Sequence, residues 1–137
     1  MSPKTFREME MAKGLVPSSE VIHTSLTDWY ERIRYVPLSM FGIEDLCRSL
    51  RQVLYPEHVV PIAVRAIEED PLAGDMYEGE LACAFRAIPG GFWREHRQLA
   101  ARLLAVMEGA IPRLSDDDVK GDVAATVTRL EAAIAES

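Results

Sequence analysis

Apolar residues recur along the chain at intervals of three and four positions, which is the spacing of amphipathic helices. Proline and glycine interrupt this pattern and mark where helices end. No stretch shows the alternation of a strand, and no internal repeat is present. The sequence therefore predicts an all-α, single-domain helical bundle of six or seven mostly short helices. The predicted helices lie within residues 2–14, 25–36, 43–55, 58–69, 77–88, 92–109 and 115–134.

The first predicted helix differs from the rest because its apolar face is short. It would place Phe6 and Met9 on one side, and the polar, proline-containing residues 15–24 after it are typical of a connector. We therefore expect residues 1–24 to form an N-terminal helix and connector that is partly variable. Residues 25–137 are expected to form the helical domain.

Two segments carry expectations about how they begin. Residues 58–69 are apolar almost all round, which predicts a central helix. Pro61 fits such a helix only near its first turn, where its missing N–H would have no partner anyway. Ser115 precedes the last segment with Asp118 three residues further on, which is the spacing of a capping box.

The charge balance restricts the classes of partner. The chain has 137 residues and a net charge of −7, which disfavours binding to nucleic acid or to anionic membranes and suits a basic protein. No apolar run approaches the roughly 20 residues that span a bilayer. The N-terminal residues lack the apolar stretch of a signal peptide. We expect a cytoplasmic protein.

The two cysteines, Cys47 and Cys83, each lie within a predicted helix among apolar neighbours. Buried, reduced thiols are the expected state in a reducing compartment. Neither cysteine belongs to a CxxC pair, so a structural zinc site is not expected. No other cofactor is predicted.

Catalytic motifs are missing from the sequence. It contains no glycine-rich phosphate loop, no GxSxG and no HExxH. The three histidines, His23, His58 and His96, fall in different segments, and nothing in their spacing brings them together. Arg94, Arg97 and Arg102 give one helix a basic face, but the charge of the whole chain opposes DNA binding. The sequence thus predicts a protein that is not an enzyme.

An acidic run lies between Ile67 and Leu81, with no Lys or Arg in it. One interpretation is a solvated loop between two helices. The other is a protein-binding surface, because Met76 and Tyr77 place apolar and aromatic groups within the charge. Pro71 and Gly79 would fix the loop's shape, which lowers the entropy cost of binding. The predicted partner-binding residues are Glu68, Glu69, Asp70, Asp75, Tyr77, Glu78 and Glu80.

Several short motifs follow one another in an order that resembles the immunity proteins of contact-dependent growth inhibition (CDI) systems of Gram-negative bacteria. The resemblance covers about residues 26–106, and its most specific parts are Glu-Asp-Pro-Leu-Ala and Tyr-x-Gly-acid-Leu. The family pattern more usually has aspartate after the glycine, where this chain has Glu80. The matching residues are Pro37-Leu38, Glu44-Asp45-Leu46, Arg48, Arg51-Gln52, Val60-Pro61, Ala63, Glu69-Asp70-Pro71-Leu72-Ala73, Tyr77-Glu78-Gly79-Glu80-Leu81 and Phe92-Trp93.

The resemblance implies a small, helical, non-catalytic antitoxin in the cytoplasm of a Gram-negative bacterium. Such a protein binds the C-terminal toxin domain of a CDI exoprotein and blocks it. Many of these toxins are nucleases with basic surfaces, which an acidic inhibitor can cover. A second possibility stays open for the acidic run: Asp70, Pro71, Tyr77 and Gly79 belong to the scaffold, and the interface lies elsewhere.

Two other functions remain as alternatives. A helical interaction or dimerisation module unrelated to toxins would self-associate and leave any toxin active. A helical enzyme or metal protein using His58, His96 and the acidic residues would purify with stoichiometric metal.

Overall fold

A computed structural model of the chain describes residues 4–14 and 25–136. Within these ranges the chain forms eight α-helices and three single-turn 3-10 helices, with no strand. The predicted all-α class is confirmed, and one predicted segment is divided into two helices. The α-helices are α1 (Phe6–Ala12), α2 (Ser25–Ile33), α3 (Ile43–Arg51), α4 (Pro56–Glu69), α5 (Glu80–Ala84), α6 (Gly90–Glu95), α7 (Arg97–Ala110) and α8 (Asp117–Ala135).

The helices belong to two compact units, Met1–Gly42 and Ile43–Ser137. The first unit contains α1 and α2, and the second contains α3 to α8. The predicted connector over residues 15–24 lies outside the described residues.

The first unit has a small core with one buried polar cluster. Phe6 and Met9 of α1 are buried, as their shared face predicts, and the Phe6 ring stacks on Tyr30 with 5.7 Å between centroids. The buried carboxylate of Glu10 accepts hydrogen bonds from the Tyr30 hydroxyl and the Arg34 guanidinium. Burial alone would raise the pKa of Glu10, but these bonds outweigh it, so the pKa lies below its usual value.

The core of the second unit lies between α4, α8 and the helices that pack against them. α4 packs against α3, α5 and α7, and α8 packs against α5, α6 and α7. Each fully buried large apolar side chain in such a core stabilises the fold by about 1.5–3 kcal/mol. The buried core side chains of these helices include Leu46, Leu50, Val59, Val60, Val64, Ile67, Leu81, Trp93, Leu103, Met107, Val123 and Leu130.

The segment predicted as one helix over residues 92–109 is divided at His96. Its backbone leaves the helical region there, with φ −130° and ψ 57°. The His96 ring stacks on the Phe92 ring at 4.1 Å, and its Nδ1 lies 2.9 Å from the Phe92 carbonyl oxygen. In a continuous helix the His96 amide would donate to that oxygen. Here the His96 side chain contacts this oxygen instead, and α6 ends at Glu95.

α4 begins at Pro56, two residues before the predicted start. Pro61 therefore lies in the second turn, and the expectation of a first-turn proline is wrong. Without an N–H on Pro61, the carbonyl of Glu57 loses its helical donor. Glu57 is exposed, so water can supply that hydrogen bond.

The prediction that Ser115 caps α8 is wrong, because the capping residue is Asp116. Asp116 Oδ1 accepts hydrogen bonds from the amides of Asp118, at 2.8 Å, and Val119, at 3.1 Å. The amide of Ser115 lies 3.3 Å from Glu78 Oε1 and donates to it. Ser115 is thereby held against the loop that joins α4 to α5.

The loop between α4 and α5 packs on the start of α8 through Gly79. This residue is buried and has φ +86°, a conformation that favours glycine. A Cβ added there would lie 2.7 Å from Leu114 Cδ2 and 2.9 Å from Val119 Cγ1. The left-handed turn delays α5 to Glu80, so Tyr77 and Glu78 belong to the loop and not to the helix predicted from residue 77.

Replacing Gly79 with alanine should lower the free energy of unfolding by about 1–3 kcal/mol, because strain at positive φ adds to the clash with α8. Chemical denaturation measures this change. Gly121→Ala is the matched control: Gly121 lies inside α8, and an added Cβ meets nothing within 4 Å. The free energy of unfolding of this control should rise by up to about 1 kcal/mol, because alanine favours the helix more than glycine does. Equal effects of the two substitutions would contradict the packing described for Gly79.

Candidate functional site

The seven predicted partner-binding residues lie on three successive elements of the second unit. Glu68 and Glu69 end α4, Glu80 begins α5, and the other four lie in the loop 70–79. Asp75, Tyr77 and Glu78 are exposed. The structure therefore brings most of the set to one surface loop but gives its members different surroundings.

Glu80 differs from the other acidic residues of the predicted set because its side chain is only 4% exposed. Its Oε1 accepts hydrogen bonds from the backbone amides of Asp75, at 2.8 Å, and Met76, at 2.9 Å. Its Oε2 accepts one from Arg51 Nη2 of α3, at 3.0 Å. Burial alone would raise the pKa of Glu80, but these donors outweigh it and hold the pKa below its usual value. Glu80 thus faces the inside of the loop.

The loop is fixed at further points. Asp70 Oδ1 accepts a hydrogen bond from the Leu72 amide at 3.2 Å, which forms a turn at the end of α4. The Gly79 amide donates to the Leu72 carbonyl at 2.9 Å. At Gly74, an added Cβ would lie 1.8 Å from the Tyr77 carbonyl oxygen. These contacts give the loop one defined backbone path.

Two large apolar side chains project from this loop. Met76 is 79% exposed and Tyr77 is 44% exposed. The Tyr77 hydroxyl lies 3.5 Å from Arg51 Nη2, so Arg51 lies beside both Tyr77 and Glu80. Burial and the neighbouring Cys83 raise the pKa of Tyr77.

Glu68 is already paired within the protein. Its two carboxylate oxygens accept hydrogen bonds from Arg102 Nη2, at 2.5 Å, and Nε, at 3.1 Å. This contact lowers the pKa of Glu68 and raises that of Arg102. Such a paired carboxylate is less available to a partner than Glu69 and Asp70, which are exposed at the end of α4.

An open groove of about 520 Å³ lies beside the loop. It joins the predicted residues Tyr77 and Glu78 to the start of α8, a region that sequence reasoning did not include. The sequence signal for it is a run of three aspartates, Asp116–Asp118, of which the sequence pattern uses only Asp118, as the second member of a capping box. Of its carboxylates, Asp116 caps α8 and Asp122 pairs with Arg86. The groove is lined by Tyr77, Glu78, Ser115, Asp116, Asp118, Val119 and Asp122.

The negative charge of the protein is concentrated in the second unit. Residues 43–137 contain ten Lys and Arg against seventeen Asp and Glu, whereas residues 1–42 contain five of each. The whole net charge of −7 therefore belongs to the unit that carries the loop and the groove.

The histidines considered for metal chemistry that the structure describes lie outside the loop 70–79, whereas Cys83 neighbours Tyr77 of the loop. His58 is in the first turn of α4, His96 lies between α6 and α7, and His23 is outside the described residues. Within residues 4–14 and 25–136, no group of three His, Cys, Asp or Glu side chains could hold a metal ion. Both cysteines are free: Cys47 is buried, as predicted, but Cys83 is only half-buried. Burial, followed by the charge of Glu80, raises the pKa of Cys47 to about 12.

Among the described helices, none is both long enough and apolar enough to cross a membrane.

Comparison with known proteins relates the chain to one family. Residues 11–103 match the family model CdiI_3, described as CDI immunity proteins. This range contains α2 to α6, the whole loop 70–79 and Glu80. No curated protein gives a significant match to the chain.

Glu80→Gln should lower the free energy of unfolding at pH 7 by about 1–3 kcal/mol, because the loop amides and Arg51 lose a charged acceptor. The folded pKa of Glu80 lies below its ordinary value of 4.5. The stability that the carboxylate supplies is therefore complete above that value and is lost as the pH falls through the folded pKa. The difference in the free energy of unfolding between the wild type and the variant should therefore become smaller below about pH 4.

Denaturant titrations from pH 7 to pH 3 measure this difference. Glu69→Gln is the control, since Glu69 is exposed at the end of α4, and its effect should stay within about 0.5 kcal/mol. A Glu80→Gln deficit that does not change with pH would contradict the role of the ionised carboxylate.

Proposed function

The chain belongs to the family of CDI immunity proteins, and from this premise we propose that it binds the toxin domain of a cognate CDI exoprotein and blocks it. The family carries a toxin-neutralising role, and the match over residues 11–103 is the observation on which the proposal rests. The action is stoichiometric binding, without catalysis, cofactor or metal. We place the encounter in the cytoplasm of a Gram-negative recipient cell, where a delivered toxin domain would act.

The toxin domain in this proposal is basic and is a nuclease. A nuclease must attract phosphates and therefore exposes Lys and Arg around its active site. The second unit, with its net charge of −7, complements such a surface. Opposite charges speed the encounter of two proteins and select among partners. The same negative charge disfavours nucleic acid and anionic membranes as direct partners.

The proposed contact surface is the loop 70–79 with the carboxylates beside it. Its exposed acidic groups are Glu69, Asp70, Asp75 and Glu78, and the groove adds Asp118. Glu68 contributes less because Arg102 already binds it. Glu80 supports the loop from inside and does not touch the partner.

Co-expression tests the function itself. Cells that make the toxin domain encoded just upstream should die without this protein and survive with it, and the two proteins should purify together in a 1:1 complex. Death of cells that make both proteins would overturn the immunity function. A purified protein that forms only homodimers and leaves the toxin active would favour the alternative of a dimerisation module.

A pair of charge reversals tests the surface. Asp75→Lys with Glu78→Lys should slow association with the toxin domain about tenfold at low salt, because the loop's steering charge is reversed. Stopped-flow binding at increasing salt measures the association rate. The rates of the wild type and the variant should converge as salt screens the charges.

The control reverses Glu57 and Glu131, which changes the net charge equally. Glu57 lies at the opposite end of α4 from the loop, and Glu131 lies in the second half of α8, away from Asp116. This variant should slow association much less. Equal slowing of both variants would assign the steering to net charge and not to the loop.

A further inference from the structure

Exposed large apolar side chains are few in the second unit. Within residues 43–136 they are Val53, Met76 and Tyr77, and Met76 is the most exposed of them at 79%. Met76 and Tyr77 are adjacent, so one short stretch of loop carries two of the three. Both residue types are enriched in the buried centres of protein interfaces.

The loop that carries this pair is held in one shape before any partner binds. Glu80 accepts hydrogen bonds from the amides of Asp75 and Met76, and its other oxygen accepts one from Arg51. The amide bonded at residue 76 belongs to the exposed methionine itself. A loop ordered in advance loses less conformational entropy on binding, so its exposed side chains contribute more to affinity.

The charges around the pair identify the kind of partner. Asp75 and Glu78 flank it in sequence and are exposed, and Tyr77 shares a groove with Asp116 and Asp118. If a second copy of this chain bound through the same surface, the carboxylates of the two copies would face and repel each other. A basic surface with an apolar recess complements both the charges and the pair.

We infer that Met76 and Tyr77 form the apolar anchor of the toxin interface, seated in an apolar pocket with a basic rim on the toxin domain, and that Glu80 is the positioning residue for this anchor. The inference rests on the proposed function. It separates two roles: the flanking carboxylates govern the rate of association, and the anchor governs the rate of dissociation.

Binding of alanine variants to the purified toxin domain tests the anchor. Met76→Ala and Tyr77→Ala should each raise Kd about 30-fold, which is the loss that defines an interface hot spot. The loss should appear in the dissociation rate. It should also persist at 1 M salt, where the Debye length is only about 3 Å and charge steering is suppressed.

Two residues of the first unit provide matched controls. Met40 is 72% exposed and Tyr35 is 62% exposed, so Met40→Ala and Tyr35→Ala remove exposed side chains of the same types from the first unit. Their Kd values should stay within about threefold of wild type. An equal loss in these controls would overturn the assignment of the anchor to the loop.

A double-mutant cycle tests the positioning role of Glu80. Glu80→Gln should weaken binding in the wild-type background, at a temperature where circular dichroism shows every variant folded. It should have little further effect once Met76 and Tyr77 are alanine, because the group that it positions is gone. Fully additive effects would show that Glu80 affects binding independently of Met76 and Tyr77, and would overturn its role as their positioning residue.

Failure of the inference differs from failure of the function. If the doubly substituted anchor variant is folded and binds the toxin domain within about threefold of wild type, the anchor is elsewhere while the immunity function stands. If the wild-type protein itself does not bind the toxin domain, the proposed function fails.

Discussion

The carboxylate of Glu80 is the interaction on which the shape of the candidate surface depends. It is nearly removed from solvent, yet it satisfies two backbone amides of the loop and a guanidinium of α3. One group therefore ties together α3, α5 and the path of the loop between them. The position of Glu80 at the start of α5 also stabilises the ionised carboxylate, because a negative charge in the first turn of a helix interacts favourably with the helix dipole. Loss of this acceptor would leave the amides of Asp75 and Met76 to find new partners.

The helices of the protein could be predicted from sequence because burial repeats with the helical period. Val59, Val60 and Leu103 fall on predicted apolar faces, and all three are buried. The same reasoning could not distinguish buried from exposed residues in the acidic run, because burial in a loop follows no regular period. Glu78 and Glu80 look alike in the sequence, but Glu78 is exposed and Glu80 is buried. The difference arises from the left-handed turn at Gly79, which points the two side chains into different surroundings.

The groove was not predictable for a related reason. Its two sides come from the loop and from the start of α8, nearly forty residues apart in the chain. They meet because Gly79 packs against Leu114 and Val119 with no room for a Cβ. The aspartates at residues 116–118 were visible as a charged run, but a run at a helix start is ordinarily explained by capping. The sequence pattern predicts Ser115 as the cap and Asp118 as its capping-box partner, whereas Asp116 caps α8. The pattern therefore indicates a capped helix start but names the wrong residue, and it gives no sign of the groove.

The Arg51–Glu80 pair bears on whether this arrangement serves stability or shape. Arg51 keeps 41% of its side chain exposed, whereas Glu80 keeps 4%, so most of the desolvation cost falls on the carboxylate. Well-packed apolar residues often replace such pairs without loss of stability. An apolar residue at position 80 could fill the space between α3 and α5, but it could not accept the hydrogen bonds of Asp75 and Met76. The carboxylate is therefore best explained by the loop conformation that it fixes, in which Met76 and Tyr77 are exposed to solvent.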